Sequence, residues 1–191
     1  MKVDFARLDR AFNPRCVVVV GDSKQGEFHL LRSLSEFKGR LYSVQINPET
    51  IREIEALGIK NYTSLLDVPE PVDLVIVAVP RKVTPKILGD CIRKDVGVAL
   101  IFTAGFAETN TEEGIRLERQ LVEMAEEASL HVIGPNCRGI FNPAIGLKQL
   151  EGQYSGVSGP VGLISQSGGH ALSFAFEAHL EGVDISKSEL W

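Results

Sequence analysis

The chain of 191 residues has little of what marks several protein classes. Its three cysteines, Cys16, Cys91 and Cys137, are too few and too scattered for a disulfide framework or a metal-thiolate site, so free thiols are expected. Positive charge is not in surplus, since 20 Lys and Arg stand against 25 Asp and Glu, a net charge of −5. Nucleic acids and anionic membranes attract basic surfaces, so neither is an expected partner. The longest stretch free of Asp, Glu, Lys and Arg, 152–176, carries six glycines and a proline and is a poor membrane span. The opening residues, MKVDFARLDRAF, interleave charges with apolar residues and hold no signal-type apolar core, which predicts a cytoplasmic protein.

What is present is an ordinary globular balance of 44% hydrophobic and 24% charged residues. Short β-branched runs alternate with helical patterns. Cys16 to Gly21 (CVVVVG) is apolar throughout, as a strand buried on both faces would be. A helix is predicted over Gly26 to Phe37, where Phe28, Leu31, Leu34 and Phe37 recur at three-residue steps. Further strands are expected at Leu41 to Ile46, Asp73 to Val79, Val98 to Thr103 and His131 to Ile133. The helices between them fall at Ile51 to Ala56, Val83 to Arg93 and Glu112 to Ala128, the last capped by Asn110 with Glu113 three residues on. This alternation predicts an α/β fold, a Rossmann-like doubly wound parallel sheet.

In such sheets ligands bind outside the C-terminal strand ends. Five loops there are rich in Gly, Pro or small polar residues, so backbone amides and helix starts can approach an anionic ligand. The first loop reads Gly21-x-x-x-x-Gly26, with Ser23 where a dinucleotide fingerprint needs its central glycine. No acid stands at Gln45-Ile46-Asn47 to hold a ribose, and Glu27 and Phe28 after Gly26 exclude a phosphate-binding P-loop. Cys137 lacks a positioned histidine and reads as a small loop thiol. Ser165-x-Ser167-x-Gly169 lacks the first glycine of a hydrolase elbow and reads instead as an anion-facing helix start. His29, His131, His170 and His179 carry no pattern that assigns them a catalytic role.

Taken in order, Ser23-Lys24-Gln25-Gly26, Val44-Gln45-Ile46-Asn47-Pro48, Val77-Ala78-Val79-Pro80, Thr103-Ala104-Gly105-Phe106-Ala107-Glu108 and Gly134-Pro135-Asn136-Cys137-Arg138-Gly139 resemble the CoA-binding domain of NDP-forming acyl-CoA synthetases. That family includes ADP-forming acetate–CoA ligases and the succinyl-CoA synthetase α subunit. Gly159 to Gly169 is similar to the start of the next, flavodoxin-like ligase domain of the same family. The resemblance implies a CoA-binding domain over 1–145, a linker over 146–160, and the first strand and helix of a truncated second domain over 161–191.

The resemblance also implies roles. Ser23, Lys24, Gln25 and Gly26 would cradle the CoA phosphates; Asn47 and Pro48 would line the adenosine end; Val79, Pro80 and Arg81 would flank the nucleotide. Phe106, Ala107, Glu108, Asn136 and Cys137 would guide the pantetheine arm, and Ser165, Ser167, Gly168 and Gly169 would face a phosphoryl group. Coenzyme A is the implied cofactor, bound as CoA or acyl-CoA, and no catalytic residue or metal ligand is assigned. One departure is Glu49, where many relatives carry Lys; Lys24, Arg81 or Lys82 are candidates to replace that charge. The full ligase reaction needs an ATP-grasp domain and a phosphohistidine loop that these residues do not include. A homo-oligomer or an ATP-grasp partner subunit or domain is therefore expected, as is an unsatisfied apolar face formed by Leu172, Phe174, Phe176 and Leu180. The alternatives are a regulatory CoA-sensing domain of an acyltransferase-type protein and a Rossmann-type nucleotide or redox-cofactor sensor.

Overall fold

A computed structural model of the chain describes residues 3–190. The first strand, β1 (Cys16–Val20), is buried along its whole length, as an unbroken apolar run requires. Its alternate residues feed two cores. Cys16, Val18 and Val20 face one, with Leu65, Leu88, Leu117 and Leu121; Val17 and Val19 face the other, with Leu31, Leu34 and Ile54.

Around β1 lie β2 (Arg40–Val44), β3 (Lys60–Tyr62), β4 (Leu74–Val77), β5 (Val98–Ile101) and β6 (His131–Ile133). All five pairings are parallel and the strand order is β3-β2-β1-β4-β5-β6, a doubly wound Rossmann-like sheet. Helices α1 (Phe5–Phe12), α2 (His29–Ser33), α3 (Pro48–Ala56), α4 (Thr84–Lys94) and α5 (Glu112–Glu127) flank it. The order reverses between β1 and β4, which creates a crevice above their C-terminal ends.

Two local expectations are corrected. The helix expected over Gly26 to Phe37 is broken into a 3-10 turn, Lys24–Gly26, and the short α2, with Glu27 and Phe28 left-handed between them at φ 53° and 55°. Buried Asp22 explains the break: its carboxylate accepts from the amides of Ser23 and Leu31, both at 2.9 Å, and so ties the loop below α2. The apolar stripe itself survives, with Phe28, Leu31 and Leu34 buried. The cap of α5 is Thr111, whose Oγ1 accepts from the amide of Gly114 at 3.1 Å. Asn110 lies one residue outside, in a left-handed turn at φ 57°.

A smaller sheet follows, built from β7 (Gly139–Phe141), β8 (Val161–Ser165) and β9 (Ile185–Leu190), in the order β7-β9-β8. Here β8 and β9 run parallel, joined through helix α6 (Gly168–Leu180), and β7 runs antiparallel to β9. The expected apolar face of α6 is open, with Phe174, Phe176 and Leu180 exposed. No helix among the described residues is long and apolar enough to cross a membrane.

Candidate functional site

At the switch point the β1 and β4 ends come very close. Gly21 holds φ +92°, and a Cβ placed on it would lie 2.5 Å from Val79 Cγ1 and 3.0 Å from the Ala78 carbonyl oxygen. Glycine is required here on both counts. Beside this contact opens a cleft of about 330 Å³, floored by Val20, Gly21 and Val44 and rimmed by Gln45, Ile46, Thr63 and Ser64. Its far wall is one face of α4 and the residue before it: Val83, Lys86, Ile87, Asp90 and Arg93. Apolar Val44, Val79, Val83 and Ile87 suit a flat ring, while Gln45, Ser64 and Lys86 offer polar groups.

The rim is locked by hydrogen bonds. Gln45 Nε2 donates to the Asp22 carbonyl oxygen at 3.1 Å, and Gln45 Oε1 accepts from the Ile46 amide at 2.8 Å, which joins the first two loops. Asn47 caps α3 by accepting from the amides of Glu49 and Thr50, at 2.9 and 3.3 Å, with Pro48 as the first helical residue. Lys24 and Gln25 are exposed at the start of their 3-10 turn, where the first amides have no acceptor within the turn. Burial holds the Asp22 carboxyl above its ordinary value, although four nearby backbone and histidine groups oppose this.

The cations named from sequence are already engaged. Lys24 pairs with Glu53 at 2.7 Å. Arg81 donates to the Gly105 carbonyl oxygen at 2.8 Å and pairs with Glu113 at 2.5 Å, while Lys82 reaches the same carboxylate at 3.3 Å. Arg81 thus ties the β4 and β5 loops together. Lys82 and Arg81 in turn hold the Glu113 carboxyl below its ordinary value.

The remaining sequence-derived residues divide into two groups. Val79 is on the cleft and Pro80 follows it. The Thr103 to Glu108 loop is joined to the Gly134 to Cys137 turn, because the Asn136 amide donates to Thr103 O at 3.0 Å and the Cys137 amide to Ile101 O at 3.3 Å. Within that loop Glu108 accepts from the amides of Gly105 and Phe106, and Glu118 accepts from Ala107 at 2.9 Å. The Phe106 side chain is wholly buried in the core. Cys137 is buried too, which pushes its thiol up to about 11 and leaves it no thiolate character.

The α6 start stands apart in sequence yet touches the same turn. Ser167 Oγ accepts from the His170 amide at 3.3 Å, and a Cβ on Gly168 would lie 2.6 Å from Arg138 Cγ, so Arg138 packs over this helix start. A second cleft, about 340 Å³, lies between the 150–154 loop and α6; its lining is mainly apolar, with Phe141, Leu150, Tyr154, Leu172 and Phe176. Among the described residues no group of His, Cys, Asp and Glu could hold a metal ion.

Sequence reasoning missed the α4 wall and the hydroxyls of Thr63 and Ser64. The signal for the wall was available, since Val83, Lys86, Ile87, Asp90 and Arg93 are spaced by three and four residues and share one helical face.

Residues 15–143 match the family model described as a CoA binding domain. The chain belongs to the CoA-binding domain family. Two similar curated proteins are an ADP-forming acetate–CoA ligase I of Archaeoglobus fulgidus and the α subunit of an ADP-forming acetate–CoA ligase II of Pyrococcus furiosus. The first is 39% identical over 94% of this chain and 26% of its own length. The second is 37% identical over 94% of this chain and 39% of its own length. Among solved structures, the apo dinucleotide-forming acetyl-coenzyme A synthetase 1 of Ca. Korarchaeum cryptofilum superposes with a TM-score of 0.82 at 32% identity. That match covers 96% of this chain and 39% of the other. This CoA-binding domain family member therefore spans well under half the length of these relatives.

Proposed function

We propose that this chain binds coenzyme A, free or acylated, across the C-terminal edge of the six-stranded sheet, as the CoA-binding portion of an ADP-forming acyl-CoA synthetase. The observation that carries the reading is the switch-point cleft, walled by α4 and locked by Gln45, in a chain that belongs to the CoA-binding domain family. The residues fit the ligand in kind. The apolar lining and the Gly21 floor suit adenine, and the amides of Lys24 and Gln25, which have no acceptor within their turn, suit a diphosphate.

From the cleft the pantetheine arm runs past Val79 and Pro80 towards the Thr103 to Glu108 loop and Asn136. Phe106 and Cys137 contribute there through backbone and shape, since both side chains are buried. The helix start at Ser165, Ser167, Gly168 and Gly169, with Arg138 over it, receives a phosphoryl group supplied by other parts of the enzyme. Ligand binding belongs to 1–145, and 161–191 is the front of a second domain. Synthesis requires an ATP-grasp domain or subunit, so this chain alone does not form acyl-CoA.

The test is thermal unfolding of the chain with CoA, dephospho-CoA, ATP and NADH in parallel. At a hundredfold excess over Kd, binding adds about 2.7 kcal/mol. For a chain of this size that raises Tm by about 5–11 °C. A rise with CoA and none with NADH is expected; a rise with NADH alone overturns the proposal.

A further inference from the structure

This inference rests on the CoA reading above and concerns the part of the ligand that the adenine and diphosphate contacts leave unmet. CoA differs from dephospho-CoA only in a 3′-phosphate on its ribose, a dianion that a cation must meet. The start of α3, beside the cleft rim, cannot serve. Asn47 already occupies its amides, and Glu49 adds a negative charge to its first turn. The cations of the neighbouring loops are committed elsewhere: Lys24 to Glu53, and Arg81 and Lys82 to Glu113. Within the cleft, Arg93 is paired with Asp90.

Lys86 is different. It lines the same cleft from α4, is exposed, and among the described residues has no carboxylate within ion-pairing distance. Ser64 reaches the cleft from the end of β3, and its Oγ accepts from the Leu66 amide at 3.2 Å, so its own hydroxyl hydrogen is left to donate. We propose that Lys86, supported by the Ser64 hydroxyl, holds the ribose 3′-phosphate and makes this cleft prefer CoA to dephospho-CoA. The charge that reads the phosphate is thus carried by α4 and not by α3.

The experiment is calorimetric titration of the full chain with CoA and with dephospho-CoA. The parent, Lys86→Gln, Lys86→Arg and Lys82→Gln are compared, the last removing an equal charge outside the cleft. The parent and Lys82→Gln are expected to bind CoA about tenfold more tightly than dephospho-CoA, the scale of one charge-assisted hydrogen bond at an exposed site. Lys86→Gln is expected to bind both alike while keeping the parent affinity for dephospho-CoA, which also shows that it is folded. Lys86→Arg restores part of the preference. A Lys86→Gln variant that keeps the parent's ratio, or a parent that binds both ligands equally, overturns the assignment of Lys86. A parent that binds neither ligand overturns instead the CoA reading on which it rests.

Discussion

Replacing Gly21 by alanine tests the close approach that shapes the cleft. Two costs add at this position. The backbone sits at φ +92°, where an L side chain costs about 1–2 kcal/mol. The new methyl would also meet Val79 Cγ1 at 2.5 Å and the Ala78 carbonyl oxygen at 3.0 Å. Val79 can turn aside, but Ala78, just past the end of β4, is held by its amide's hydrogen bond to the Val20 carbonyl oxygen at 2.8 Å, so a further overpacking cost of about 1–3 kcal/mol is expected. The sum, about 2–4 kcal/mol after partial relaxation, corresponds to a fall in Tm of about 4–16 °C at 2–4 °C per kcal/mol. Urea unfolding gives the first quantity and a thermal melt the second. Because Gly21 and Val79 both line the cleft, ligand affinity should fall as well, beyond what stability alone explains. A Gly21→Ala variant as stable as the parent would refute the argument that the β1–β4 contact admits no side chain.

Three further perturbations probe other parts of the account. Thr111→Ala removes the side chain that caps α5 and should cost about 1 kcal/mol by urea unfolding, whereas Asn110→Ala should not remove that cap. The buried thiols of Cys16 and Cys91 are pushed up to about 12 and that of Cys137 to about 11, so a disulfide reagent at mildly alkaline pH should modify none of them until the chain is unfolded. Glu113, held below its ordinary value of 4.5 by Lys82 and Arg81, contributes stability above that value and loses it as pH falls through the lowered one. The stability difference between the parent and Glu113→Gln should therefore be present at neutral pH and vanish in acid, as urea midpoints across the range will show.

Much of the sheet was legible because its signals are local. An unbroken run such as Val17 to Val20 has few uses other than a strand covered on both faces, and the Gly- and Pro-rich loops mark the strand ends. The strands β3, β7 and β9 were not legible. Lys60-Asn61-Tyr62 is an edge strand with little apolar content, and Gly139 to Phe141 is a strand only because β9 returns beside it from far along the chain. The α2 region failed for a different reason. Its apolar stripe was correct, but Asp22, one residue beyond the first strand's loop glycine, takes the Leu31 amide and forces the turn that precedes the helix. For the site, the loops were readable from their composition, while engagement was not: the pairing of Arg81 with Glu113 spans 32 positions in sequence and depends on the β4 and β5 loops lying side by side.

Whether ligand occupies the switch-point cleft is read out by backbone amide chemical-shift mapping of the labelled chain during CoA titration. Saturable shifts are expected at Gly21 to Gly26, Gln45 to Asn47, Ser64, Val83, Thr84, Lys86 and Ile87, with the 150–154 loop and the middle of α6 unmoved. Shifts confined to Tyr154, Leu172 and Phe176 around the apolar cleft, with the strand-end loops silent, would contradict it.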